Sequence, residues 1–218
     1  GRLADRLQQP VQMYGVLEIG IGLYAALFPS LDRLADWIFI RVGSGIADQA
    51  GLLLLLKAVL SAGLLLGPTI LMGGTLPLMA SWLQRFTTEG GRRSARFYSV
   101  NSLGAVFGSA LAGFFLVQRF GMPTTLVIAA AVNLAIGVAA IFVSRSGFLG
   151  KPAVAGPSES SKPGIAAPGT LRMAGIIVAI TGGVSMGLEV LASRSLGMVF
   201  GSSLQSFAIV LMAFILGI

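Results

Sequence analysis

From Gly51 to Trp82 the chain runs for 32 residues with Lys57 as its single charged side chain. As one straight helix this run would measure about 48 Å, against a hydrocarbon core of about 30 Å. Such a stretch is suited to lipid rather than water. Pro68 and Pro77 lie inside it, with Gly73 and Gly74 between them. Each proline removes a backbone donor and disfavours helix at the preceding residue, so the run is expected to be a kinked or interrupted helix.

The rest of the chain has the same character. Charged residues make up 11% of it and hydrophobic residues 55%, where ordinary soluble domains carry about 25% charge. Further apolar spans are expected over about Val11 to Phe28, closed by Pro29, over Tyr98 to Val117, over Thr124 to Val143, over Met173 to Ala192, and from Leu204 onward. The tight QRFGMP turn separates the third span from the fourth. Leu31 to Val42 sets Leu31, Leu34, Ala35, Ile38 and Val42 apart from Asp32, Arg33, Asp36 and Arg41. It reads either as a short helix in the membrane interface, with Trp37 near headgroup level, or as an ordered loop. Residues 144–171 are rich in Pro, Gly, Ser and Lys and read as a flexible linker between a first bundle, residues 1–143, and the start of a second, residues 172–218. The expected fold is thus all-α: a polytopic transmembrane helix bundle of about six spans. Gly1 stands where an initiator Met would, and Ile218 falls within an apolar run, so the chain is expected to be a piece of a longer protein.

Charge sets the expected orientation. The net charge is +7, and its basic residues lie mostly in short connections, which membrane topology explains better than nucleic-acid binding does. On one side lie Arg2, Arg6, Arg85, Arg92, Arg93, Arg96, Arg145, Lys151, Lys162 and Arg172; the other side holds Arg33, Arg41, Arg119 and Arg194. The richer side is expected to be cytoplasmic. The Arg92, Arg93 and Arg96 cluster then has a ready role as an anchor to anionic lipid. With no Cys and no His, the chain lacks thiolate and imidazole chemistry. No cofactor, metal or catalytic site is expected within it, and its partner is the bilayer.

Several longer stretches carry a resemblance. GRLADR at the N-terminus is similar to the loop signature that major facilitator transporters carry between their second and third spans. More specific are PTILMGGTLPLMA (Pro68 to Ala80), RFYSVNSLGAVFGSALAGFFLV (Arg96 to Val117) with the following GMPTTLVIAAAVN, and GLEVLASRSLGMVFGSSLQSF (Gly187 to Phe207). In this order they resemble the membrane portion of the spermidine-synthase-like membrane proteins, a major facilitator-like domain fused to a spermidine synthase domain. The resemblance implies that the spans are the third to eighth of a longer bundle, and that Asp5 and Arg6 form a loop latch. It also implies an aminopropyltransferase domain, which has no counterpart in these residues. Where the family shows an aromatic within E-V-x-W-x-R, this chain has Ala192.

Carboxylates inside a membrane are functional candidates by default. Glu18 and Glu189 qualify, with Lys57 as a partner for Glu189 if their spans adjoin, or as a cation that snorkels to the interface. Arg194, Asn101 and Asn133 join them on a candidate substrate or ion pathway, although interhelical hydrogen bonds account equally for the asparagines. The breaks at Pro68, Gly73, Gly74 and Pro77 would aim backbone groups at a substrate if they open the helix. Gly63 with Gly67, Gly104 with Gly108 and Ala112, and Gly183 with Gly187 repeat at four-residue spacing and are expected to mark close helix packing. Three function classes follow: the membrane domain of an aminopropyltransferase-type enzyme, a transporter of a small cation or metabolite, and a structural scaffold. The orientation is checked by a cysteine placed at Ser158: a membrane-impermeant thiol reagent is expected to label it only from the cytoplasmic face.

Overall fold

A computed structural model describes residues 9–84, 90–146, 168–201 and 203–217. The elements are α1 (Pro10–Gly43), a 3-10 turn (Ser44–Ile46), α2 (Ala50–Gln84), α3 (Gly90–Leu111), a π-helical segment (Ala112–Leu116), α4 (Val117–Arg145), α5 (Pro168–Phe200) and α6 (Leu204–Gly217). No strand occurs among the described residues. Among the described residues, three stretches are long and apolar enough to cross a membrane, Pro10–Ile46, Ala50–Leu83 and Ala95–Arg145, and α6 is a shorter apolar helix. In the most apolar window of α2, none of the residues is buried within the chain. Ile70 is 70% exposed and Leu54 69%. Side chains of this kind find a favourable surrounding only in lipid or against other apolar surface.

Several boundaries differ from the expected ones. Pro29 does not close the first span: α1 continues through it for 34 residues and takes in the stretch 31–42. Proline's fixed φ is a helical one, so it costs the bond to the Ala25 carbonyl without forcing a stop. The same holds for α2, a single 35-residue helix with Pro68 and Pro77 inside it. Of the kinked and interrupted readings, the interrupted one is therefore ruled out. Arg92, Arg93 and Arg96 belong to the first turns of α3 rather than to a loop. Likewise α5 extends beyond 173–192 at both ends, so residues 168–171 are helical and so is Arg194. Residues 147–167 of the expected linker lie outside the described residues, as do Asp5 and Arg6. The turn within QRFGMP is where it was expected: Gly121 has φ 76°, a left-handed value that breaks α4.

The chain forms two units, one comprising Gly1–Thr87 with Met122–Ala153 and the other Thr88–Gly121 with Val154–Ile218. In the first, α1 and α2 run antiparallel, with Tyr24 against Gly67, Gly20 against Leu71 and Leu17 against Gly74. The α1 helix also packs antiparallel on residues 122–145 of α4. A Cβ placed on Gly15 would stand 2.7 Å from the Gly137 carbonyl oxygen, and one on Gly22 would stand 2.9 Å from that of Ala130. These are backbone-to-backbone contacts that a side chain would prise apart. In the second unit α6 packs on α3 and on the π-helical turn, where a Cβ on Gly113 would meet that of Ala208 at 2.5 Å.

Of the small residues expected to pack, Gly67 does so against the Tyr24 ring, and Ala112 is half-buried at the start of the π-helical turn. Gly63, Gly104, Gly108, Gly183 and Gly187 instead face open space. A four-residue repeat marks a smooth stripe on a helix, and the stripe that is used depends on where the neighbouring helix lies. Gly137→Leu is accordingly expected to destabilise the protein by about 1–3 kcal/mol through overpacking. Gly104→Leu should leave stability within about 0.5 kcal/mol; thermal unfolding in detergent checks both.

Candidate functional site

Glu18 is the one carboxylate among the buried polar groups of the described residues, 9% exposed, in company with Ser81, Thr125 and Ser206. It lies about 12 Å along α1 from Pro10, within the apolar part of the helix. Its neighbours on α1 fix its place. Leu17 meets Gly74 of α2, while Ile19 meets Gly137 of α4. One helical turn earlier, Tyr14 brings its hydroxyl near the Glu18 carboxylate. The hydroxyl supplies a polar contact that the hydrocarbon does not.

Asn133 stands at the same level. It lies between Ala130 and Gly137, the α4 residues pressed against Gly22 and Gly15, and it is half-buried. The antiparallel register thus brings two of the expected pathway residues, Glu18 and Asn133, to one depth of one unit. Asn101 belongs to the other unit and is exposed on α3.

Lys57 and Glu189 also belong to different units. Within its own unit Lys57 opens on a groove of about 320 Å³ between α1 and α2, shared with Asp32, Asp36, Phe39 and Ser61. Asp32 and Asp36 are one turn apart, so both point to the same side of α1. Sequence reasoning placed them on the polar face of a separate segment. Their proximity to Lys57 depends on α1 being continuous through Pro29, which no local signal announces. Glu189 and Arg194 together line a second and larger groove, about 1140 Å³, between α5 and α6.

The prolines of α2 do not present open helix ends, and one of the freed carbonyls has a specific partner. Pro68 has no N–H to offer the carbonyl of Leu64, four residues back. The Tyr24 hydroxyl takes that place, donating to the Leu64 oxygen at 2.8 Å. Gly67 makes room for the ring, since a Cβ there would lie 2.8 Å from the Tyr24 Cε2. Thr69 and Thr75 turn their hydroxyls back onto the Leu65 and Met72 carbonyls. Around Gly73 there is open space, and Gly74 receives Leu17. Tyr14 and Tyr24 were both missed in the sequence. The signal available for Tyr24 was its place among apolar residues, which indicates a buried hydroxyl but not its acceptor.

No family model, no curated protein and no solved structure matches the chain.

The pairing of Tyr24 with Pro68 has a thermodynamic signature. Tyr24→Phe is expected to cost about 1–3 kcal/mol by leaving a half-buried carbonyl unsatisfied. After Pro68→Ala restores the N–H, the same change should cost less than about 0.5 kcal/mol, a coupling read by a double-mutant cycle of unfolding in mixed micelles.

Proposed function

We propose that this chain is the membrane domain of a spermidine synthase-like protein, a major facilitator-like bundle of which six spans lie here, and that Glu18 receives a small cation of the polyamine class. The catalytic aminopropyltransferase domain is a fused soluble domain outside this chain, and the membrane domain supplies location and substrate access. The N-terminal segment and the linker face the cytoplasm. Support comes from the long stretches quoted above in family order and from the helical, lipid-suited character of the chain.

The observation that carries the reading is Glu18 itself. A buried carboxylate in an apolar helix is costly and is kept where it serves an ion, a proton or a charged substrate. Tyr14 beside it and Asn133 at its level offer hydrogen bonds to an ammonium group and its surroundings. A transport reading of the same residues loses the support expected from broken helices, because α2 is continuous. Fold analogy in any case does not transfer a substrate.

Radiolabelled spermidine is expected to bind the chain in nanodiscs and to lose about tenfold or more in affinity in Glu18→Gln, the equivalent of about 1.4 kcal/mol. Retention of helical circular dichroism and of a monodisperse elution peak shows that the variant is folded. Undiminished spermidine binding by Glu18→Gln rules out Glu18 as the receiving group. Uptake into sealed vesicles by the wild-type chain alone would favour the transporter over the enzyme's membrane domain.

A further inference from the structure

The groove between α5 and α6 holds both signs of charge. Glu189, half-buried, and Arg194, exposed, both line it. Five residues apart, they are about 7.5 Å from each other along the axis and about 140° around it, so the helix holds their backbones apart. The α6 side adds hydroxyls. Ser203 precedes the first residue of α6 and its Oγ accepts a hydrogen bond from the Ser206 N–H at 3.2 Å, as an N-cap does. Ser206 is buried, and its hydroxyl donates to the Gly201 carbonyl at 3.2 Å while lying 3.0 Å from the Ser203 oxygen. Gly201, at φ 81°, makes the turn that brings this end of α6 back beside α5.

The positive end of the groove therefore combines a guanidinium with the first turn of a 14-residue helix, whose leading N–H groups favour an anion. The negative end is the Glu189 carboxylate, one and a half turns deeper along α5. Apolar side chains, Met198 and Phe207 among them, form the walls. Arg194 lies beyond the stretch Met173 to Ala192, which is about long enough to cross the hydrocarbon core, so in the proposed membrane bundle the positive end falls at headgroup depth. A guanidinium paired with helix N–H groups fits the planar or tetrahedral oxygens of a phosphate, and a carboxylate fits an ammonium.

From this arrangement we infer that the α5–α6 groove binds a zwitterion in which a phosphate and an ammonium are joined by a short spacer. The phosphate meets Arg194 and the start of α6, and the ammonium meets Glu189. Phospholipid headgroups and free phosphoamines share this chemistry. The site is separate from Glu18 and independent of the function proposed for it.

The test uses the full chain released from detergent into native mass spectrometry, with phosphatidylethanolamine and phosphatidylglycerol of matched acyl chains. Wild-type protein is expected to hold phosphatidylethanolamine about tenfold more tightly than phosphatidylglycerol. Arg194→Gln should weaken both lipids by about tenfold, with Arg194→Lys restoring most of the loss. Glu189→Gln should abolish the preference while leaving phosphatidylglycerol binding unchanged. Competition by free phosphoethanolamine identifies a soluble zwitterion as a ligand, and its failure to compete identifies the lipid. Equal binding of the two lipids by the wild type, or binding untouched in both Gln variants, overturns the inference.

Discussion

The close approach of α1 to α4 is the contact on which the first unit depends. In water two apolar helices associate because association removes surface from solvent. In lipid that drive is gone, since hydrocarbon tails are as good a surrounding as another leucine. What remains is dispersion between closely packed backbones, and it falls steeply with distance. Gly15 and Gly22 on α1 lie close against the Gly137 and Ala130 backbones of α4, with the side chains of Ile141 and Leu134 packed beside them. The same logic places Gly113 against Ala208 in the second unit. Large apolar side chains such as Ile70, Phe107 and Phe142 stay on the outside, where lipid suits them.

Close packing has a second consequence, for polar groups. Every backbone carbonyl within the hydrocarbon needs a donor, and a proline deletes one. At Pro68 the chain answers with a tyrosine from the neighbouring helix and a glycine to admit its ring, so one polar defect becomes an interhelical tie between α1 and α2. Glu18 and Tyr14 follow a related economy: a group that hydrocarbon would penalise has a polar neighbour one helical turn away. Both devices occur where α1 is already held tightly, which is where a polar side chain is excluded from water and its geometry can be fixed.

The apolar runs and the Gly121 break were legible in the sequence because each rests on a local cause: hydropathy over a span, and a glycine in a turn motif. The prolines were not. Whether Pro29, Pro68 or Pro77 ends a helix depends on what lies four residues back and what a neighbouring helix can donate to it, and Tyr24 is 40 residues from its acceptor in the chain. The glycine stripes failed for a related reason. Gly104 and Gly108 form as smooth a face as Gly15 and Gly22, yet only the second pair meets a helix. Of the candidate site, Glu18 was visible because a carboxylate in an apolar span is conspicuous by itself. The groove of Asp32, Asp36 and Lys57 was not, because it needs the antiparallel register of two helices whose continuity was itself in question.

That continuity sets where the acidic groove can lie. At 34 residues, α1 is about 51 Å long. Upright, it overruns a bilayer of about 40–45 Å including headgroups; tilted by roughly 35°, within the range of transmembrane helices, it spans about 42 Å and fits. The partner segment of α2 around Leu52, Leu54, Leu55 and Val59 is apolar and exposed, which argues against a hairpin tip standing free in water. A tilted hairpin reconciles the two. In such a hairpin the tip would lie in the headgroup layer, and there the Arg41 guanidinium, 5.5 Å from the centre of the Trp37 ring, would form an amphipathic pairing suited to that depth. The groove shared by Asp32, Asp36 and Lys57 would then stand at the boundary between lipid tails and headgroups, with Glu18 at the opposite end of the apolar part of the same helix.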